Sequence, residues 1–155
     1  MELRDAKPED LPAASDLCLR SKAYWGYDAS FMEACRDELT MTLGDIVEDE
    51  VILAEDHGRL TGVAQVSFGE DGCFLEKMFV DPRDIGRGVG RKLFEWCVSA
   101  ARHLGAREMI VESDPQAVDF YRRMGCQPAG LALSSSIPGR SLPRLTMEID
   151  KARAS

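Results

Sequence analysis

The feature that most constrains this chain is the segment of residues 75–104, LEKMFVDPRDIGRGVGRKLFEWCVSAARHL. It begins with an apolar run at 75–80 and continues through a turn that contains three glycines. It ends in a stretch where apolar side chains recur every three or four residues, which produces one apolar face over about four turns of helix. The segment therefore predicts a strand, a glycine-rich turn and a helix in direct succession.

The glycine-rich turn has the composition of an anion site. Gly86, Gly88 and Gly90 carry no side chains that would keep a ligand from the backbone, and the first amides of a helix lack intrahelical acceptors. The helix dipole stabilises a negative group there by about 0.3–1 kcal/mol, up to about 2 when partly buried. The same turn contains three arginines, Arg83, Arg87 and Arg91. A pyrophosphate suits such a turn, although glycines also serve tight turns and close packing.

Two familiar phosphate-binding patterns do not fit this turn. The dinucleotide fingerprint G-x-G-x-x-G spaces its glycines differently, and a nucleotide-hydrolase loop needs Lys-Ser or Lys-Thr after its last glycine. The turn instead resembles the acetyl-CoA loop of the GNAT superfamily of N-acetyltransferases, Gln/Arg-x-x-Gly-x-Gly/Ala after a strand that ends Val-x-Pro. The corresponding residues are Val80-Asp81-Pro82 and Gly88-Val89-Gly90, with Ile85 where Gln or Arg is usual.

A second segment, residues 114–126, resembles another motif of that superfamily, Asn-x-x-Ala-x-x-Phe-Tyr-x-x-x-Gly-Phe. The matching residues are Ala117, Phe120, Tyr121 and Gly125, while Asp114 replaces the usual Asn and Cys126 the usual Phe. Two motifs in the superfamily's order are more specific than either alone. The chain is therefore identified as a member of the GNAT superfamily.

Hydrophobic patterns along the chain predict an element order compatible with that fold. We expect strands at 2–6, 51–55, 60–68, 73–80, 107–112, 126–133 and 142–149, and helices at 8–21, 31–43, 89–104 and 115–124. Gly44-Asp45 should end the second helix, and Gly62 is a candidate bulge. The resemblance implies an α+β, GNAT-type three-layer fold with a mixed, mostly antiparallel seven-stranded sheet and helices on both faces. Residues 1–150 would form a single acetyltransferase domain and 151–155 a frayed tail.

Composition and charge limit the classes of function. With 155 residues the chain has room for one core and one cleft, and its net charge of -8 argues against a nucleic-acid surface, which needs a basic face. Five widely spaced cysteines and two histidines predict free core thiols in a reducing compartment and no metal site. No apolar run reaches the length of a membrane helix, so we expect a cytoplasmic protein.

By resemblance, the co-substrate is acetyl-CoA. Its pantetheine arm is expected along Met78, Phe79 and Val80. Its pyrophosphate is expected on the turn residues Gly86, Arg87, Gly88, Val89, Gly90 and Arg91. Asp114 matches a further cofactor-binding position of the motif, although a residue before Pro115 is better explained as a helix cap.

Acetyl transfer from a thioester to an amine needs a fixed thioester, a neutral amine and a proton for the thiolate. Tyr121 matches the family's general acid, and the ordinary tyrosine pKa of about 10 keeps it protonated at pH 7. The alternative is a core tyrosine on an amphipathic helix. Glu76 is the candidate base, because related enzymes often use a carboxylate on this strand. Glu76-Lys77 could instead be a solvated pair, and Glu112 and Asp114 are weaker candidate bases.

The candidate acceptor-binding residues are Tyr24, Trp25 and Tyr27. They lie in the connection between the first two helices, which borders the acceptor in GNAT proteins. They either form a wall of the acceptor pocket or belong to a loop that tucks Trp25 into the core. We predict an acetyl-CoA-dependent N-acetyltransferase that acts on a primary amine of a small molecule by direct attack. A non-catalytic acyl-CoA-binding or regulatory module is the alternative, motivated by Ile85 and Asp114. A homodimer is a family-based expectation, because many members dimerise near the last strands.

Overall fold

A seven-stranded sheet runs through the computed structural model, which describes residues 1–150. The strands are β1 (Glu2–Asp5), β2 (Glu50–Asp56), β3 (Arg59–Gly69), β4 (Gly72–Val80), β5 (Glu108–Glu112), β6 (Gln127–Leu133) and β7 (Ser141–Glu148). The helices are α1 (Leu11–Ala23), α2 (Ala29–Leu39), α3 (Leu43–Glu48), α4 (Val89–His103) and α5 (Val118–Arg123). The predicted fold class is confirmed, and the predicted tail at 151–155 lies outside the described residues.

The strand order is β1-β2-β3-β4-β5-β7-β6, and every neighbouring pair is antiparallel except β4 and β5. Each face of the sheet has its own core, because successive strand side chains point to opposite faces. In β2, Ile52 packs in the cluster that contains α4 and α5, whereas Leu53 packs in the cluster that contains α1 and α2. The sheet is thus buried between two helical layers along its centre.

The connection after α2 differs from the prediction. The sequence predicted one helix over 31–43 that Gly44-Asp45 ends, but α2 stops at Leu39 and a separate helix, α3, contains those two residues. Thr42 starts α3 with a capping box, in which its hydroxyl accepts from the amide of Asp45 (3.3 Å) and the carboxylate of Asp45 accepts from the amide of Thr42 (2.8 Å). Asp45 therefore begins a helix instead of ending one.

Two irregularities in β4 shape the centre of the sheet. β4 pairs with β5 over only three residues, Cys73 to Leu75, although β4 continues to Val80. Opposite β3, Gln65 pairs with Lys77 and Val66 with Leu75, so Glu76 is an extra residue that forms a β-bulge. Beyond Leu75 the two strands separate, and the edge of β4 that faces β5 has no strand partner. A gap therefore opens in the middle of the sheet.

Gly62 has a packing role that the predicted bulge did not anticipate. The register shift between β2 and β3 makes Thr61 the extra residue, next to Gly62. A Cβ atom on Gly62 would lie 2.7 Å from Cδ1 of Leu93 and 2.9 Å from Cγ1 of Val89. The absence of a side chain at Gly62 thus lets α4 pack closely against β3.

We expect Gly62→Ala to lower the free energy of unfolding by about 1–3 kcal/mol, because overpacking moves α4 away from the sheet. The matched control is Gly69→Ala in the same strand, where an added Cβ would meet no atom within 4 Å. Urea denaturation of both variants checks this expectation. Equal stability of the two variants would contradict the close packing of α4 on Gly62.

Candidate functional site

A cleft of about 620 Å³ lies where β4 and β5 separate. The free end of β4 forms its floor, and its walls come from the turn before α4, from α5, and from the connection between α1 and α2. The predicted site residues that line it are Tyr24, Trp25, Glu76, Met78, Phe79, Val80, Gly86, Gly88, Gly90, Arg91, Asp114 and Tyr121. Three other predicted site residues are outside this lining: Tyr27, Arg87 and Val89.

The turn before α4 presents backbone amides to the cleft. Gly86 (φ 84°) and Gly88 (φ 83°) are left-handed, and the space where their Cβ atoms would stand is open to 4 Å. Within the described part of the chain, the amides of residues 88–91 have no hydrogen-bond acceptor, whereas that of Arg87 donates to the Asp84 carbonyl (3.3 Å). Val89 offers only its amide, because its side chain is buried in the core. The turn fits a pyrophosphate.

The arginines of this turn differ in their partners. Arg83 pairs with Asp81 at 3.1 Å and Arg87 approaches Asp84 at 3.7 Å, so part of the expected positive charge is compensated. Arg91 lines the cleft and has no ion-pair partner among residues 1–150. It is the turn arginine that remains available to an anionic ligand.

Sequence reasoning missed a second cationic residue of the cleft, Arg123. With Gln116, Asp119 and Phe120 it lines the wall that α5 and the turn before it provide. These four positions have the spacing i, i+3, i+4 and i+7, which places side chains on one helical face. That periodicity around the tyrosine motif was the signal that could have identified Arg123.

Tyr121 is held in the cleft wall by aromatic packing. Its side chain is 6% exposed, and its ring lies 5.3 Å from that of Phe120 and 6.0 Å from that of Phe94. Burial raises the pKa of its hydroxyl well above the ordinary value, and the nearby thiols of Cys97 and Cys126 act in the same direction. The hydroxyl makes no hydrogen bond to any residue that the structure describes. Tyr121 therefore keeps its proton at neutral pH and lacks a protein partner.

The bulge at Glu76 gives this carboxylate its position. Glu76 is exposed at the cleft, and its Oε1 accepts a hydrogen bond from the hydroxyl of Ser67 (2.7 Å). The neighbouring Lys77 donates to Gln65 (3.3 Å) and is not paired with Glu76. Glu112, at the end of β5, is a second exposed carboxylate in the lining.

The three aromatic residues of the α1–α2 connection separate into two groups. Tyr24 (55% exposed) and Trp25 (43% exposed) line the cleft with ring centroids 5.3 Å apart. The alternative that Trp25 lies in the core is therefore wrong. Tyr27, predicted as a third wall residue, stacks on Phe31 at 4.0 Å, and its hydroxyl accepts from Arg140 (2.9 Å). Tyr27 thus connects Arg140 of the β6–β7 loop to Gln116 of the cleft lining, whose side-chain oxygen accepts from the Tyr27 hydroxyl (3.1 Å).

Asp114 is not the helix cap that its position before Pro115 predicted. Its carboxylate makes no cap hydrogen bond and accepts instead from the Lys22 ammonium (2.7 and 2.9 Å) and from Arg140 (3.3 Å). These cations come from α1 and from the loop before β7, so Asp114 joins three segments around the acceptor side of the cleft. Paired in this way, Asp114 is a poor candidate for a base.

Within residues 1–150, no three His, Cys, Asp or Glu side chains lie close enough together to hold a metal ion. No helix of that part of the chain is long and apolar enough to span a membrane. All five cysteines are buried free thiols.

Comparison with known proteins identifies relatives of this chain. It is 27% identical over 124 residues to the peptidyl-lysine N-acetyltransferase YiaC of Escherichia coli, covering 79% of this chain and 81% of that protein. It is 33% identical over 76 residues to the peptidyl-lysine N-acetyltransferase YjaB of the same organism, where the match spans 49% of this chain and 50% of the relative.

Solved structures share the fold. A GCN5-related N-acetyltransferase from Rhodopseudomonas palustris has a TM-score of 0.80 at 21% identity, with 95% of this chain and 94% of that chain covered. The PaiA N-acetyltransferase from Thermoplasma acidophilum, solved in complex with coenzyme A, has a TM-score of 0.79 at 16% identity, with 95% and 98% covered.

The sequence profile of the acetyltransferase (GNAT) family matches residues 19–126, a span that contains the turn before α4, the bulge of β4 and Tyr121. The match also includes the connection between α1 and α2. The chain therefore belongs to the acetyltransferase (GNAT) family and is an acetyl-CoA-dependent N-acetyltransferase.

Proposed function

We propose that this enzyme acetylates a primary alkylamine by direct attack of the amine on acetyl-CoA bound in the cleft between β4 and β5. The observation that carries the proposal is the cleft itself, which joins the free edge of β4, a turn of unpaired amides and a buried, protonated tyrosine. The family assignment favours an enzyme over the alternative of a binding or regulatory module.

The chain offers distinct supports for the two ends of acetyl-CoA. The unpaired edge at Met78, Phe79 and Val80 suits the amide groups of pantetheine, and the amides of residues 88–91 suit the pyrophosphate. Arg91 adds a positive charge beside the phosphates. Acetyl-CoA supplies the activated acetyl group, and a ligand anchored at both ends presents it in a fixed position.

In this proposal Tyr121 donates a hydrogen bond to the departing sulfur. Its burial keeps the hydroxyl protonated, as the role requires. Because a thiol with a pKa of about 8.5 is more acidic than a buried tyrosine, complete proton transfer from tyrosine to sulfur is unfavourable. We infer that Tyr121 mainly stabilises the developing thiolate, which takes up the proton that the attacking nitrogen loses as it becomes an amide, while the excess proton of the ammonium leaves on the acceptor side.

The acceptor must lose a proton before it attacks. Deprotonating an alkylammonium of pKa about 10.4 at pH 7 costs roughly 4–5 kcal/mol. We propose that Glu76 receives this proton directly or through water. It lies exposed beside the proposed pantetheine edge, and Ser67 is the only hydrogen-bond partner of its carboxylate among residues 1–150. Glu112 is the alternative base, because it is an exposed carboxylate of the cleft lining at the end of β5, the strand beside β4.

The side chains at the mouth of the cleft favour an acceptor that carries a cationic amine. Tyr24 and Trp25 present exposed rings, which attract a cation by about 0.5–1 kcal/mol per contact. A small-molecule amine, predicted from the sequence, and a lysine of a peptide, the acceptor named for YiaC and YjaB, share an alkylammonium group. Both classes therefore belong in the substrate panel. A homodimer and a cytoplasmic location stay predictions.

Purified protein incubated with acetyl-CoA and a panel of polyamines, aminoglycosides, amino acids and lysine peptides should release free thiol and an acetylated product. Tyr121→Phe should reduce kcat by about 10²–10⁴-fold and leave the Kd for CoA unchanged, because only the hydroxyl is removed. Full retention of rate in this variant would remove Tyr121 from the mechanism.

The role of Glu76 has a separate signature. Glu76→Gln should reduce kcat/KM for the acceptor most strongly at neutral pH and less at high pH, where free amine is already available. Glu112→Gln is the matched control. A pH-independent loss in Glu76→Gln, or a larger loss in Glu112→Gln, would contradict the assignment.

The aromatic wall is tested by truncation. Tyr24→Ala and Trp25→Ala should raise the KM for the acceptor several-fold, leave that for acetyl-CoA unchanged and lower the melting temperature little, since about half of each side chain is exposed. Tyr27→Ala, which breaks the stack on Phe31 and the bond to Arg140, should instead lower the melting temperature. Wild-type acceptor KM in Tyr24→Ala and Trp25→Ala would place the acceptor elsewhere.

A further inference from the structure

Two buried carboxylates precede residues 86–91, the turn whose amides face the cleft and which forms the cradle for the proposed pyrophosphate. Among residues 1–150, Asp81 (1% exposed) and Asp84 (2% exposed) are the only charged residues that are buried. Asp81 precedes the 3-10 turn Pro82–Asp84 that joins β4 to the cradle, and Asp84 is the last residue of that turn. Burying a carboxylate is costly unless it is paired and hydrogen-bonded, so their position calls for a specific explanation.

Both carboxylates are bound by arginines from other parts of the fold. Arg59, the first residue of β3, donates to the two oxygens of Asp84 at 2.9 Å each. Arg20 of α1 donates to Asp81 at 2.9 Å, and Arg83 donates to Asp81 through its guanidinium and its backbone amide. The turn is thus tied to one strand and one helix outside the motif.

The backbone of the same two residues continues into the cradle. The amide of Asp84 donates to the carbonyl of Asp81 (2.8 Å), and the amide of Arg87 donates to the carbonyl of Asp84 (3.3 Å). Fixing these two side chains therefore fixes the path of the chain into residues 86–91. A displacement of Asp84 would move the amides that face the cleft.

Simple electrostatics does not account for this arrangement. A carboxylate near a phosphate site repels the ligand, and Asp84 itself lines the cleft. The arginine partners offset this repulsion, but a neutral residue would avoid it altogether. Unlike a neutral residue, a carboxylate can accept two directional, charge-assisted hydrogen bonds from one guanidinium group.

We propose that Asp84 with Arg59, and Asp81 with Arg20 and Arg83, form a clamp that sets the affinity for CoA by positioning the amides of residues 86–91. These are positioning residues, and they act on the cofactor only through the turn. The inference rests on the proposed location of the pyrophosphate. It extends the CoA site to arginines that lie outside both sequence motifs, Arg20 and Arg59.

The direction in which Asp84→Asn changes the affinity for CoA distinguishes a positioning role from a purely electrostatic one. Asp84→Asn removes a negative charge from an anion site, so electrostatics alone predicts tighter binding of CoA. The clamp predicts weaker binding, with the Kd for CoA by isothermal titration calorimetry and the KM for acetyl-CoA raised about tenfold, because misplaced binding groups lose affinity steeply. The kcat at saturating acetyl-CoA should change little. Arg59→Gln should have the same effect, and Arg59→Lys should retain part of the affinity.

The chain offers a matched control. Arg4 holds Asp10 through the same two-point geometry, at 2.8 and 2.9 Å, outside the cleft. Asp10→Asn should lose a comparable pair and keep the wild-type Kd for CoA. A general loss of folding would lower affinity in both asparagine variants, whereas the clamp affects only the Asp84 variant.

A third variant, Gly88→Val, distinguishes failure of the clamp from failure of the proposed pyrophosphate site. Gly88→Val places a strained side chain on the cradle, since Gly88 is left-handed, and should abolish CoA binding if the pyrophosphate lies there. Loss in Gly88→Val with equal or tighter binding in Asp84→Asn and Arg59→Gln would overturn the clamp alone. Wild-type CoA affinity in all three variants would overturn the site and the clamp together.

Discussion

The separation of β4 from β5 is the constraint on which the rest of this structure depends. Parallel pairing ends after Leu75, and the bulge at Glu76 turns the remainder of β4 away from its neighbour. A sheet buried between two helical layers normally satisfies every backbone group with another strand. Here one strand edge is left for a ligand, and the turn and helix that follow β4 are directed to the same opening. The cleft in which we propose that acetyl-CoA binds is therefore a consequence of where two strands stop pairing.

The opening combines a polar surface suited to an anionic ligand with an apolar surface around the Tyr121 hydroxyl. At one end, amides and Arg91 suit a highly charged ligand, and the buried carboxylates of Asp81 and Asp84 tie the turn to Arg20 and Arg59. In the middle, Tyr121 sits among aromatic rings, where low polarity keeps its hydroxyl protonated. The proposed acceptor end has exposed carboxylates and exposed rings, a combination suited to an ammonium group that must give up a proton. In this proposal one cleft binds an anionic cofactor at one end and an amine at the other.

The sequence predicted most of the fold, because β4, α4 and α5 carry local signals of periodicity, glycine placement and capping. It failed where a signal had two meanings. Gly44-Asp45 resembles a helix end, yet Thr42 and Asp45 form a capping box that starts α3. Asp114 resembles a cap, yet its partners Lys22 and Arg140 are remote in sequence. Such long-range ion pairs leave no local pattern, and the position of Tyr27 outside the cleft lining was missed for the same reason, since Arg140 and the stacked Phe31 determine its place.

The most direct test of this account is a crystal structure of the protein with CoA. We expect the pantetheine between β4 and β5, the pyrophosphate oxygens within hydrogen-bond distance of the amides of residues 88–91, and the sulfur within reach of the Tyr121 hydroxyl. CoA bound outside the gap between these strands, or with its sulfur directed away from Tyr121, would contradict the central claim that this gap is the catalytic site.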